Sequence, residues 1–467
     1  MKGNLFLQIN AACFCLLFAG GCLVGPDYVP YDMETPTSWS SVERYLSDTE
    51  PNFIGWWKQF EDPMLTSLIE RAMASSLDLK TAQSRIRQAR AELWFSQGGL
   101  WPSVDATASQ SRSRASTGAK TELYSAGLDA AWELDIFGGQ RRDIEASEAL
   151  VRASVEDLRD VWVTLTAEIA LNYISLRGFQ QEIVILERNL ETQQKTADLT
   201  RKRFNGGFVG ALDVANAEVQ VTNTSAQLPL LELSVQQTIH NLGILLGTYP
   251  AALAEELSTG ADIPSSPAQI AVGIPSDLLR RRPDIRSVEA QVHAATALIG
   301  VAEADLFPRF ALTGSLGFQS QKADALFNWN NRIWSVGPTA GWNIFDAGRT
   351  RANIEAQKAV EEQVLLAYQQ TVLTALQEAE DALIALTKEQ EHRDALQKSV
   401  EASRRSVNLA TQLYTEGETD FLNVLTAQRS LFSSEDALVN SNRTVSTNLV
   451  ALYKAMGGGW EDQYPEN

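Results

Sequence analysis

His240, His293 and His392 are the chain's three histidines, and each stands alone in a helix-forming stretch. No HExxH pair, P-loop, GxSxG elbow or GxGxxG turn accompanies them, so nothing is laid out to bind a catalytic metal, cradle a phosphate or activate a serine. Paired carboxylates are plentiful, but 58 acidic residues against 39 basic ones make them uninformative as acid–base candidates. Arg280, Arg281 and Arg282 invite a phosphate reading; set between Asp277 and Asp284, they read better as salt-bridge partners near a helix start. The expectation is a protein that is no enzyme, with no metal and no cofactor. One side chain, Cys22, stands where covalent chemistry is plausible.

All three cysteines, Cys13, Cys15 and Cys22, fall in the first 22 residues. The body of the protein therefore holds no disulfide framework and no cysteine metal site. Lys2 precedes a mostly apolar run from Leu5 to Phe18, and Ala19, Gly20 and Gly21 lead into Cys22. That is the layout of a secretory signal, too short for a permanent membrane helix. Small residues ending at a cysteine resemble a bacterial lipoprotein box, although Ala19 stands where such boxes usually carry leucine. The expected product is a covalent lipid, N-acyl and S-diacylglycerol, on Cys22, which anchors the mature chain firmly. An ordinary cut nearby, with Cys22 unmodified, is the plainer alternative. A formal charge of −19 argues against nucleic acid or an anionic membrane surface as the main partner.

The elements that must position these residues come in two copies. Trp132, Gly138 and Arg141 recur as Trp342, Gly348 and Arg351, and Gly207, Leu212, Val214 and Ala217 recur as Gly417, Leu422, Val424 and Ala427, always 210 positions on. Each copy reads as a helix, two alternating strands, a very long helix, a glycine turn and a shorter helix. From Tyr124 to Leu134, apolar Tyr124, Ala126, Leu128, Ala130, Trp132 and Leu134 alternate with mainly polar or small residues, and Trp334 to Ile344 does the same. Strands from Trp101 to about Ser111 and from Phe307 to Ser320 precede them, making four strands in two hairpins. Strands of about ten residues with this alternation suit an outer membrane, and also a half-buried soluble sheet. Trp101, Trp132, Phe307 and Trp342 fall at one level, as interfacial aromatics do. In lipid such a sheet leaves edge groups unpaired, so several chains must pool their strands.

Asp143 to Arg203 contains no proline, and a heptad seam runs along it through Leu158, Trp162, Leu165, Ile169, Leu176 and Leu186, with Asn172 its lone polar position. The matching stretch, about Arg349 to Tyr414, carries small residues such as Ala375, Ala379 and Ala382. Shorter helices are expected at Leu65 to Gln97 and Leu212 to Leu246, stacked end to end beside the long one. A helical cylinder and a solid coiled-coil rod both fit this pattern.

Several segments resemble the outer-membrane efflux proteins of the TolC type, in particular the lipoprotein branch serving resistance-nodulation-division pumps. They are Trp56 to Pro63, Arg85 to Ala91, Leu278 to Arg286, Leu306 to Pro308, Cys22 with Val24 to Tyr28, and Leu452 to Ala455 with Gly457 to Trp460. The resemblance implies a mainly α chain with a transmembrane β part. Three copies with four strands each would form a 12-stranded β-barrel continuous with a 12-helix periplasmic α-barrel, built from two internal repeats. The implied layout is 1–21 signal peptide, 22–64 lipid-anchored extension, 65–247 first repeat, 248–275 linker, 276–456 second repeat and 457–467 tail. It implies a homotrimer in outer-membrane lipid that passively conducts small molecules outward. Its partners are a periplasmic membrane-fusion adaptor docking at the turns Gly206, Gly207 and Gly417, and an energised inner-membrane RND pump. The family's periplasmic gate often carries aspartate rings; here Asn423 and Thr426 occupy those positions, beside Leu422, Asp420 and, in the first repeat, Asp213. A lipid-anchored periplasmic coiled-coil scaffold without channel activity is the competing reading.

Overall fold

The computed structural model describes residues 23–40, 53–264 and 275–460. Cys22 lies outside them, as do residues 265–274 of the linker. The chain divides into two compact units: Met1–Met33, Ser84–Glu156 and Ile285–Thr371 form the first, Glu34–Gln83, Asp157–Asp284 and Val372–Asn467 the second.

The first repeat runs α1 (Pro63–Ser75), α2 (Leu77–Gly98), β1 (Ser103–Arg114), β2 (Lys120–Leu134), α3 (Gly139–Asn205), α4 (Ala211–Ser225) and α5 (Leu228–Leu245). A short helix, α6 (Ala254–Leu257), follows. The second repeat runs α7 (Asp277–Arg281), α8 (Pro283–Ala304), β3 (Arg309–Ser320), β4 (Arg332–Gly341), α9 (Arg349–Glu416) and α10 (Phe421–Ala455). The 210-residue register of the sequence thus becomes two copies of one unit. The helix expected at Leu65 to Gln97 is two helices, because Ser76 turns extended with ψ 134°. The break between α7 and α8 at Arg282 is its counterpart in the second repeat. The helix expected at Leu212 to Leu246 is also two, α4 and α5, since Pro229 supplies no N–H and opens a new helix. In the second repeat Val439 takes that place, and α10 runs unbroken for 35 residues.

Both long helices begin at a carboxylate cap. Asp135 accepts the N–H groups of Gln140 and Arg141, each at 3.1 Å, so α3 starts at Gly139 rather than at the expected Asp143. Asp346 accepts those of Gly348 at 2.9 Å and Thr350 at 2.8 Å ahead of α9. Among the described residues no helix is long and apolar enough to cross a membrane.

In the first unit the strands form one antiparallel sheet in the order β1-β2-β3-β4. The two expected hairpins are therefore joined, β2 pairing with β3 from Tyr124↔Ser320 to Leu134↔Phe310. Trp101 precedes β1, and Trp342 and Ile344 lie beyond the end of β4, so the strands at those places are shorter than the alternation suggested. Pro338 is accommodated in β4, an edge strand of this sheet.

In the second unit the heptad seam is only part of the packing. Leu158, Trp162, Leu165, Ile169, Leu176 and Leu186 are buried, but so are Ala167, Tyr173, Ile174 and Arg177 off the seam. Chain segments outside the repeats cause this. Tyr173 donates to Asp62 at 2.8 Å, Trp162 donates to the Gly459 carbonyl at 2.8 Å, and Trp56 stacks on Tyr453 with centroids 5.1 Å apart. Burial pushes the Tyr173 and Tyr453 hydroxyls up to about 12. Ala375 and Ala379 are fully buried, as small contact residues should be. The end-to-end stacking is present as well: Ser75 Oγ donates to the Leu246 carbonyl at 2.6 Å just beyond α5, beside the start of α2.

Farther along this unit, Glu435 of α10 ties three helices. Its Oε1 accepts from Arg404 of α9 at 2.8 Å and pairs with Arg188 of α3 at 2.9 Å, and Oε2 accepts from Asn189 at 3.2 Å. Burial raises this carboxyl, but the bonds from Arg404, Asn189 and Arg188 outweigh it and hold it below its ordinary value of 4.5.

Two consequences are measurable. A depressed carboxylate contributes stability above its unfolded value and loses it as pH falls through the folded one. Glu435→Gln should lower stability at pH 7 by about 2 kcal/mol, and acidification below the ordinary carboxylate range should narrow that gap in thermal melts; a gap independent of pH refutes the clamp. Ala347, exposed with φ +56°, sits in the left-handed region beside the α9 cap. Ala347→Gly should therefore raise the thermal midpoint, relief of Cβ strain exceeding the glycine's entropy cost by about 0.5–1 kcal/mol; an unchanged or lower midpoint counts against it.

Candidate functional site

Strand register sorts the sheet into two chemically different faces. Ala106 lies opposite Leu128, Leu128 opposite Leu316, and Leu316 opposite Trp334, so one level of one face is apolar across all four strands. One position along, Asp105, Asp129, Ser315 and Ser335 share a level of the other face. There Thr107 Oγ1 donates to Asp129 Oδ2 at 2.9 Å, and the hydroxyls of Ser109 and Ser125, like those of Ser315 and Ser335, lie 2.8 Å apart. Within the single chain the apolar face is uncovered: Leu316 is 61% exposed and Trp334 71%.

The four aromatics expected at one level do gather at one end of this sheet. Trp132 is paired with Leu312, and its Nε1 donates to the Leu100 carbonyl at 2.9 Å, next to Trp101. Trp342 donates to the Leu306 carbonyl at 3.0 Å, next to Phe307. The two indoles thus make repeat-equivalent bonds. Phe307 also stacks on Phe137, with centroids 4.6 Å apart. Phe137 was not singled out in the sequence, because its repeat position holds Ala347 and the 210-residue register gave no signal there.

At the other functional region the long helices reverse. Gly207 and Gly417 have φ +77° and +85° and close matched turns: Phe208 N–H donates to the Arg203 carbonyl and Glu418 N–H to the Leu413 carbonyl, each at 2.9 Å. These are Schellman ends, which need a residue free to turn left-handed. Gly206 is different, since its φ is not positive and its N–H still bonds the Lys202 carbonyl at 3.1 Å. Behind the turns, Ala197, Ala217, Tyr414, Phe421, Val424 and Leu425 form a buried cluster. Arg203 joins the two reversals. Its Nη1 donates to the Tyr414 carbonyl at 2.6 Å and the Thr415 carbonyl at 3.2 Å, and its guanidinium lies 4.7 Å from the Tyr414 ring centre.

The gate candidates divide by direction. Phe421, Val424 and Leu425 point into the cluster, whereas Leu422 is 63% exposed. Asn423 donates to Thr419 Oγ1 at 2.7 Å, and Thr426 bonds back to the Leu422 carbonyl at 2.8 Å, so both polar groups are engaged locally. Asp420 stands before the first residue of α10 and makes no side-chain cap bond. Asp213 sits in the first turn of α4, where the helix dipole favours its charge; among the described residues it makes no bond to another helix.

The comparisons with known proteins agree with this geometry. The family model described as outer membrane efflux protein matches residues 68–248 and 274–458, one segment for each repeat. A probable efflux pump outer membrane protein, TtgC of Pseudomonas putida, is 34% identical over 457 residues, covering 95% of this chain and 94% of that protein. Nodulation protein T of Rhizobium leguminosarum bv. trifolii is 31% identical over 460 residues, covering 97% and 98%. The solved structure of the outer-membrane channel OprN superposes with a TM-score of 0.88 at 37% identity, covering 94% of this chain and all of that one. With both repeats matched and the four-stranded sheet and long helices in place, the chain belongs to the outer membrane efflux protein family.

Proposed function

We propose that three copies of this chain close their sheets into one twelve-stranded barrel in the outer membrane, and that the assembled helices form the periplasmic part of the same passive exit duct. The observation that carries this reading is the sheet itself, apolar on one face, polar on the other, with β1 and β4 both left as open edges. Closure places the apolar face toward lipid and turns Asp105, Asp129 and the serine pairs toward water. Trp101, Trp132, Phe307 and Trp342 then form the belt at one membrane surface.

The duct carries no energy source. A periplasmic adaptor meets the turns at Gly207 and Gly417 and an inner-membrane pump of the RND class drives export, as befits a relative of TtgC, a probable efflux pump outer membrane protein. Leu422 narrows the closed periplasmic end, with Asp420, Asn423, Thr426 and Asp213 around it. Acylated Cys22 anchors each copy to the membrane.

Planar bilayers test the duct: the purified assembly should give discrete conductance steps and Leu422→Ala larger ones. Absence of steps refutes the channel, and steps of unchanged size remove Leu422 from the gate. Metabolic labelling with a palmitate analogue tests the anchor, since Cys22→Ser should abolish a label that the wild type carries. Equal labelling of both removes acylation at Cys22.

A further inference from the structure

Leu23 to Tyr31 belong to no helix or strand, yet they are fastened to the first unit along their whole length. Val24 N–H donates to the Phe137 carbonyl at 3.1 Å. Arg142, whose side chain is 2% exposed, donates from Nε to the Val24 carbonyl at 3.0 Å and from Nη2 to the Gly25 carbonyl at 3.2 Å and Asp27 at 2.7 Å. Its Nη1 donates to Glu145 at 2.7 Å. Gly25, with φ +89°, lies against Gly300 so closely that a Cβ would stand 2.3 Å from the Gly300 Cα. Farther along, Tyr28 stacks on His293 with centroids 4.3 Å apart and donates to Glu289 at 3.3 Å, and Tyr31 meets the edge of Tyr368.

These contacts reach α3 of the first repeat and α8 and α9 of the second. Near the segment, α3 meets α8 through Ala146, Ala149, Ala294 and Ala297, and through the pairs Glu145–His293 and Glu156–Arg286, each at 3.0 Å. Without the segment, Arg142 would keep Glu145 and exchange three protein acceptors for water.

We infer that residues 23–31 are a fastener completing the fold of this unit, with Arg142 as its positioning residue, and that protein contacts rather than the lipid hold it in place. The inference requires neither conduction nor acylation. Limited chymotrypsin digestion of the purified full chain, read as cleavage after Leu23, Tyr28 and Tyr31, tests it. Cleavage should be slow in the wild type and equally slow in Cys22→Ser. Arg142→Ala and Gly25→Val should each speed it about tenfold or more and lower the thermal midpoint. Fast cleavage in the wild type, faster cleavage in Cys22→Ser, or unchanged cleavage in both fastener variants would overturn it. Should Arg142→Ala not fold, Gly25→Val decides, because it changes no helix residue.

Discussion

A sheet with two open edges is the constraint from which the rest of the molecule follows. β1 and β4 each leave a row of N–H and C=O groups unpaired within the chain, tolerable in water but costing several kcal/mol per group in hydrocarbon. Duplication of a helix–hairpin–helix unit closes two of the four hairpin edges, because β2 of one repeat zips to β3 of the other over eleven residue pairs. The remaining edges can be satisfied only by other copies. An apolar face left bare by the single chain fits the same requirement, since lipid rather than protein is its natural cover.

The helices solve a different problem, that of long rods which must reverse and stack without much apolar surface at their ends. Buried or half-buried arginines recur at these junctions. Arg282 Nη1 donates to the Ala455 carbonyl at 3.0 Å, at the C-terminal end of α10, and to Glu378 at 2.7 Å, while Nη2 holds Asp284 at 2.7 Å. Arg203 does the same for the last carbonyls of α9. Arg142 grips carbonyls of the N-terminal segment. In each case a guanidinium suits the task because its planar fork serves several acceptors at once, and helix C-termini present both unpaired carbonyls and negative potential. Within the signature from Arg280 to Arg282, Arg282 is therefore structural, as Asp284 beside it suggested.

Much of this was legible in the residues. Period-two alternation marked β2 and β4, with a strand before each, and the 210-residue register related the two reversals and Trp132 to Trp342, because those features depend on local spacing and recur in each copy. What escaped was of two kinds. The breaks at Ser76 and Pro229 are single-residue events inside otherwise continuous helical patterns, and only one repeat carries the proline. The caps Asp135 and Asp346 are out of register by one residue, and the Val24, Gly25, Tyr414 and Thr415 carbonyls that Arg142 and Arg203 bind leave no trace in spacing, unlike Asp284 beside Arg282. The heptad seam of α3 was real but incomplete, since segments near residues 53–62 and 453–460 wrap it from outside the repeat.

The residues proposed for the gate show how duplication can preserve shape while changing chemistry. Leu212 and Leu422 occupy equivalent positions one residue into α4 and α10, and both are exposed, at 72% and 63%. Their polar neighbours differ: Asp213 in one repeat becomes Asn423 in the other, and Asn216 becomes Thr426. Asn423 donates to Thr419 in the preceding turn and Thr426 to its own helix, and both side chains are neutral, so neither offers a charge to a passing ion. In an assembly of several copies, leucines presented by both repeats would crowd one level, while Asp213 would meet the neutral Asn423 at the equivalent position and Asp420 would stand before α10. A constriction of that composition obstructs mainly by excluding water, with charge as a secondary influence. Its release would then require the reversals to move apart, and Arg203, which bonds one reversal to the other, would couple the two helix pairs of a copy.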